Sequence, residues 1–418
     1  MLADVPRRMP LLTALSLTKE AFRFEPSDED VCEEDWIMDY SAASQLALVI
    51  RLSPSLRKLS ILDAEGVFSK VPELGDAVAG LTRLDDIRFG WTHDSDVTTH
   101  DVTVGVLSRL KSQPRKVECY ILQTGVGLNR GEDRFLGSFT TSVTTLKLRR
   151  HPEVILTLAP NTFWPAVESL ELEGDQNSEF FINNRAHFAR AFPNVRRLKI
   201  LDHSCRVPST SIPATANHWR NLDFVSISSP LPVGRPVRHL HYSANTASVH
   251  WRIDQYANDT QEFLRQSSPV TLSCRAQQDL VEWVAATASS LRVLQLHYVC
   301  RPRGHAPGLA DDSDMRGVID MFCPYIGLLQ LRAFSFSLAF TLPLDDASVL
   351  RHAVAIALHI PALHYIGIQL HGGEELDVFQ YKWARVVSRP QQGEPVLEMV
   401  PEYDVDALER TLLATPRD

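Results

Sequence analysis

The chain has 418 residues, 44% apolar and 22% charged, with 51 acidic against 42 basic side chains and a formal charge of −9. It is longer than one ordinary compact core and too apolar for a disordered chain, and its mild acidity offers no general attraction to phosphate backbones. Nucleic acid is therefore excluded as a first partner, and no apolar run reaches the roughly 20 residues that a membrane-spanning helix needs.

Cys32, Cys119, Cys205, Cys274, Cys300 and Cys323 form no C-x-x-C pair and are read as reduced core residues. The opening MLADVPRRMP carries Arg7 and Arg8, but Thr13, Ser16, Thr18 and Lys19 interrupt the apolar stretch that a secretory signal requires. The expected compartment is cytoplasm or nucleus, and the sequon Asn258, Asp259, Thr260 is read as unused.

In chain order, the first element is a strand phrase, MPLLTALSL, ending at Leu17. An acidic segment follows at 25–39, read as a solvated loop with a basic partner as the sharper alternative. Residues 41–52 place Leu46, Val49 and Ile50 on one helical stripe. The strand phrase then returns with ends at Ile61, Phe89, Leu148, Leu172, Ile200, Ile227, Leu296, Phe336 and Ile368, and in weaker form at Ile121, Tyr242 and Leu272. Between phrases, helical periodicity appears at 184–192, at 276–288, and from Asp345-Asp346-Ala347-Ser348 to Ile360, with acid at the amino end. The glycine-rich stretch 125–131 lacks the spacing of a phosphate-binding motif and is read as a loop.

Spacing separates a repeat from coincidence. Leu148, Leu172, Ile200 and Ile227 stand 24, 28 and 27 residues apart, and Leu272 and Leu296 stand 24 apart, near the period of leucine-rich repeats. Longer gaps of 44 residues before Ile61 and 40 before Phe336 mark insertions. A strand followed by a helix, repeated in one direction, predicts an α/β leucine-rich-repeat solenoid, a horseshoe with parallel strands on the concave face and helices on the convex face. The predicted solenoid covers 1–375. A capping segment, 376–418, would hold two short strands at 381–387 and 396–399 around a turn, then a helix at 405–413. The amino end shows no equivalent cover, which points to an upstream domain or a capping partner.

The phrases from Phe192-Pro193-Asn194 to Ile200 and from Trp164-Pro165 to Leu170, each opened by an aromatic and a proline, resemble those of the fungal F-box/leucine-rich-repeat proteins abundant in basidiomycetes. The resemblance spans about residues 10–370. It implies repeats that select a substrate and an amino-terminal F-box that docks on the Skp-type adaptor of a cullin ubiquitin ligase. No F-box precedes the first phrase here, so that role is carried over onto no residue, and the adaptor is expected only if an F-box lies upstream.

No Walker, zincin, nucleophile-elbow or EF-hand motif occurs, so no catalytic residue, cofactor or metal is expected. His239 and His241 share a strand face without an assignable third ligand, and His359, His364 and His371 straddle a helix end, a strand and a loop. The informative residues are those pointing away from the core between the apolar strand positions. In the first half these are Arg88, Tyr120, Lys147, Arg149, Glu171, Glu173, Arg197 and Lys199. Further along they are His239, His241, Gln295 and His297. The sign alternates from strand to strand around Lys147, Glu171 and Lys199, which is both a structural ladder and a patterned surface for an unknown protein partner. The predicted function is a non-enzymatic protein-interaction module for substrate recognition or scaffolding. The alternatives are a diverged enzyme with a loop-built site and a degenerate structural remnant.

Overall fold

The computed structural model describes residues 8–18, 21, 23–24, 37–38, 40–90, 101–120, 139–150, 163–174, 178–202, 219–231, 233–243, 253–298, 312–338, 345–370, 380–391 and 393–414. The chain forms two compact units, the first holding Met1–Gln176, Asn184–His203 and Trp219–Asn221, the second Asn177–Asn183, Ser204–His218 and Leu222–Asp418. The glycine-rich stretch 125–131, His371 and almost all of the acidic segment 25–39 lie outside the described residues.

In the first unit the strands are β1 (Ala14–Leu17), β2 (Arg23–Phe24), β3 (Ile37–Met38), β4 (Lys58–Ile61), β5 (Asp86–Phe89), β6 (Lys116–Tyr120), β7 (Thr145–Arg150), β8 (Ser169–Gly174) and β9 (Arg197–Asp202). The helices are α1 (Ala43–Arg51), α2 (Ala64–Lys70), α3 (Pro72–Ala79) and α4 (Asp101–Ser108), and α5 (Ser178–Ala191) runs between β8 and β9. The main sheet runs β1-β4-β5-β6-β7-β8-β9 with every neighbour parallel, while β2 and β3 pair antiparallel by themselves. Parallel neighbours need a long return path, and the segments between phrases supply it.

Register shows where the repeat truly aligns. Ile61, Phe89, Cys119, Leu148, Leu172 and Ile200 stand side by side, 28, 30, 29, 24 and 28 residues apart. The weak phrase read to Ile121 therefore has its aligned apolar position at Cys119, a buried thiol acting as a small hydrophobe. The inward side chains are fully buried along β4 to β8, whereas Leu15 and Leu17 of β1 are only half-buried beside Leu59 and Ile61. On α1 the buried stripe is Ala43, Ala47 and Ile50 rather than Leu46 and Val49, which stay half-buried. The small alanines let α1 pack closely on α3. Glu65 on α2 is buried and accepts backbone N–H bonds from Val102 at 3.0 Å and Thr103 at 2.7 Å, capping the amino end of α4 from the preceding repeat.

The second unit contains β10 (Phe224–Ile227), β11 (His239–Tyr242), α6 (Ile253–Ser267), β12 (Thr271–Arg275), α7 (Gln278–Thr287) and β13 (Val293–Tyr298). It continues with α8 (Asp312–Ile326), β14 (Ala333–Leu338), α9 (Asp346–His359), β15 (Tyr365–Leu370), β16 (Gln380–Ser388), β17 (Val396–Met399) and α10 (Glu402–Leu413). Strands β10 to β15 are parallel, and α6, α7, α8 and α9 pack one on the next. Ile227, Tyr242, Cys274, Leu296, Phe336 and Ile368 align, so the phrase read to Leu272 is also displaced by two residues onto a cysteine. The Asp345 carboxylate accepts the Ser348 N–H at 2.8 Å and caps α9 as its sequence predicts. Tyr242, wholly buried, places its hydroxyl 2.7 Å from that of Tyr256 and 3.2 Å from Thr260 Oγ1, so the sequon threonine is a core hydrogen-bonding group.

The parallel run ends at β15. Strand β16 pairs with it antiparallel, β17 pairs antiparallel with β16, and the Arg389 guanidinium in the intervening turn donates to the carbonyls of Ala357, Ile360 and Leu363 at the carboxyl end of α9. Helix α10 then packs Leu408 and Leu412 on Val293, Ala333 and Trp383, with Tyr365, Val400 and Val405 around them. Val293, Ala333 and Tyr365 occupy matching positions on β13, β14 and β15, so α10 lies over one column of outward strand residues.

Candidate functional site

Strand alternation sets the site. With Ile87 and Phe89, Val117 and Cys119, Leu146 and Leu148, Leu170 and Leu172, and Leu198 and Ile200 committed to the core, the residues between them point the other way. One column of this open face reads Arg88, Glu118, Lys147, Glu171, Lys199 across β5 to β9, and the next includes Arg149 and Glu173. Neighbouring strands lie about 4.8 Å apart, so each carboxylate falls between cations.

Glu118 pairs with Arg88 at 3.4 Å, Arg149 at 2.9 Å and Lys147 at 4.0 Å. Glu171 pairs with Lys147 at 3.3 Å, Lys199 at 3.3 Å and Arg149 at 3.9 Å, and Glu173 takes Arg149 at 2.6 Å. Burial alone would raise the Glu171 carboxyl, but Lys199 and Lys147 outweigh it and hold the group below its ordinary range. The two signs differ in depth. The side chains of Glu118, Glu171 and Glu173 are 14%, 11% and 19% exposed, against 45% for Arg88, 34% for Lys147 and 40% for Lys199. The carboxylates and Arg149, itself 21% exposed, form a floor, and Arg88, Lys147 and Lys199 stand above it.

The open face of the second unit carries a different chemistry. His241 Nδ1 lies 3.0 Å from Ser273 Oγ, Ser273 Oγ lies 2.7 Å from His297 Nε2, and His297 Nδ1 lies 3.0 Å from Ser337 Oγ, a continuous row across β11 to β14. Each contact joins an imidazole nitrogen to a hydroxyl, with donor and acceptor set by the tautomer, so the row forms a hydrogen-bond ladder. Ser335 and Ser337, in register with Gln295 and His297, point to the same face but are covered and buried, and Tyr365 packs under α10.

The predicted residues thus fall into two groups. Arg88, Lys147, Arg149, Glu171, Glu173 and Lys199 form one network, and Arg197 lies on the same face, one position along from Lys199. His241 and His297 share Ser273, with ring centroids 6.2 Å apart, while His239 and Gln295 are half-buried on neighbouring columns. The Tyr120 backbone lies on β6, but its side chain is outside the described residues. Strand alternation in the sequence already turns Glu118 to this face beside Tyr120, and register sets it between Arg88 and Lys147, where it binds three cations. Among the described residues no cluster of three histidine, cysteine or acidic side chains is placed to hold a metal. Burial pushes the thiols of Cys119, Cys274 and Cys323 up to about 12, so all three are protonated at neutral pH. No described helix is long and apolar enough to cross a membrane.

Fold and face together define a mixed α/β protein built on parallel strand–helix units with polar open faces. No family model and no curated protein matches the chain. Among solved structures it is similar to the leucine-rich repeat-containing protein LegL7 from Legionella pneumophila, at 11% identity and a TM-score of 0.33, over 88% of this chain and 87% of that one.

Proposed function

We propose that the chain is a non-enzymatic protein-interaction module of leucine-rich-repeat type, a substrate-recognition or scaffold protein that works through the open face of β5 to β9. The observation that carries this reading is the ion network centred on Glu118 and Glu171, in which seven charged side chains from five strands are held in fixed register on one face. The part-buried acids fix the register of the network, while Arg88, Lys147 and Lys199 keep enough exposure to meet a partner by charge complementarity. The solenoid description, the division at 375/376 and a cytoplasmic or nuclear location belong to the same proposal. Coupling to a Skp-type adaptor enters it only where an F-box precedes the chain.

The test reverses Lys147, Arg149, Arg197 and Lys199 to glutamate and compares capture of cellular partners by the variant and the parent chain, quantified by mass spectrometry. Loss of a defined set of partners with an unchanged circular dichroism spectrum is the expected result. An identical partner set would remove this face from the function.

A further inference from the structure

Resting on the interaction reading above, we propose that the β5–β9 face binds an extended acidic protein segment that presents a carboxylate at about every third residue. Three observations lead there. First, Arg88, Lys147 and Lys199 are the outer layer: the carboxylates are already engaged by one to three cations each, whereas among the described residues Arg88 and Lys199 each meet one carboxylate from one side. Second, the face is positive on an acidic protein. Its outward positions over β4 to β9 hold Lys58, Lys116 and Arg197 besides Arg88, Lys147, Arg149 and Lys199. Against these seven stand Asp86, Glu118, Glu171 and Glu173, a net +3 where the whole chain carries −9. A local excess of this sign draws anionic segments and repels basic ones.

Third, register fixes a spacing. Arg88, Lys147 and Lys199 share one column on alternate strands, β5, β7 and β9. Two strand steps amount to about 9.6 Å. A polyproline II segment advances about 3.1 Å per residue with three residues per turn, so every third side chain returns to the same side about 9.3 Å further on. Such a segment, laid across the strands, sets one carboxylate on each protruding cation and passes over the sunken glutamates without approaching them. A β-strand ligand does not match as well, because its third residue points to the opposite face.

The experiment is fluorescence anisotropy of labelled dodecapeptides with the full chain at about 0.15 M salt, where the Debye length is near 8 Å. The peptide probes are four repeats of Glu-Pro-Pro, four of Lys-Pro-Pro, and a peptide of the first composition with its glutamates clustered, and a labelled single-stranded oligonucleotide of twelve nucleotides is measured beside them. The Glu-Pro-Pro peptide is expected to bind at least about tenfold more tightly than either other peptide, and to lose at least about tenfold with Arg88, Lys147 and Lys199 all changed to glutamate. Arg265→Glu on α6 is the control for a single charge reversal away from this face, and Lys147→Gln with Lys199→Gln gives a milder second variant should the triple change disturb folding. Equal binding of the clustered peptide overturns the spacing, and tighter binding of a single-stranded oligonucleotide overturns the assignment to a protein segment. If the lysine peptide binds and the triple reversal strengthens it, the face is an interaction surface with the opposite preference. If neither peptide responds to the reversals, this inference fails, while the broader reading still stands or falls on the partner-capture comparison.

Discussion

The two units present their open faces in contrasting ways, although the same short phrase builds the strands of both. In the first unit the outward positions of β5 to β9 are long charged side chains that pair across strands and stand in solvent. In the second they are hydroxyls, imidazoles and small apolar groups, one column of which lies beneath α10. The difference arises from residue size at a single strand position. Val293 and Ala333 leave room for a helix with Leu408 and Leu412 on its lower side, whereas lysine and arginine at such positions would bury charge under it. The inward residues decide that a strand forms, and the outward ones decide whether its face stays open.

The largest test of this contrast is Trp383→Ala. Trp383 stands opposite Gly367 with its indole almost fully buried against Leu408 and Leu412 of α10, and a Cβ at Gly367 would already stand 3.0 Å from its ring. Its removal is expected to cost about 3–5 kcal/mol in denaturant unfolding and to speed amide exchange in α10. An unchanged exchange rate would mean that the helix is held by something other than this cluster. On the other side, Glu65→Ala is expected to cost about 1–3 kcal/mol, because a buried and a part-buried N–H group at the start of α4 lose their acceptor. Thermal melts should show the loss, and α10 exchange should not change.

The smallest effect sharpens the electrostatic half of the comparison. The Glu171 carboxyl is lowered in the folded chain, so its contribution to stability is fully present above the unfolded value of about 4.3 and is lost as pH falls through the folded value. Melting temperature measured from pH 6 downward should therefore decline less steeply in Glu171→Gln than in the parent. Parallel declines would show that Lys147 and Lys199 do not hold the carboxylate as described.

Much of this was legible in the chain. Each strand phrase corresponds to a strand, and the helix opened by Asp345 begins where its acid predicts. The two slips of register share one cause: Cys119 and Cys274 fill aligned core positions, and a reading that counts only the larger hydrophobes ends two residues beyond the first and two short of the second. Helices α2 and α3 went unread because alanine and glycine carry much of their buried surface and give little periodic contrast. The charged column could be read because alternation gives direction. Its layering could not, since depth depends on which neighbours reach over a side chain. The cover over Val293, Ala333 and Tyr365 could not be read either, since it depends on a segment more than thirty residues away in sequence.

The antiparallel entry of β16 also governs how such a chain can lengthen. A strand added after β15 in the parallel sense extends the stack by one unit, whereas β16 runs the other way and its partner β17 continues that reversal. Duplication of a strand–helix unit is therefore compatible with the fold upstream of β15, for example as a second copy of the segment from β13 through α8. The same copy inserted after β16 would meet a sheet border of the wrong polarity. Arg389, bonded to three carbonyls at the end of α9, ties the reversal to the last helix of the series, so any new unit has to be spliced in ahead of that joint.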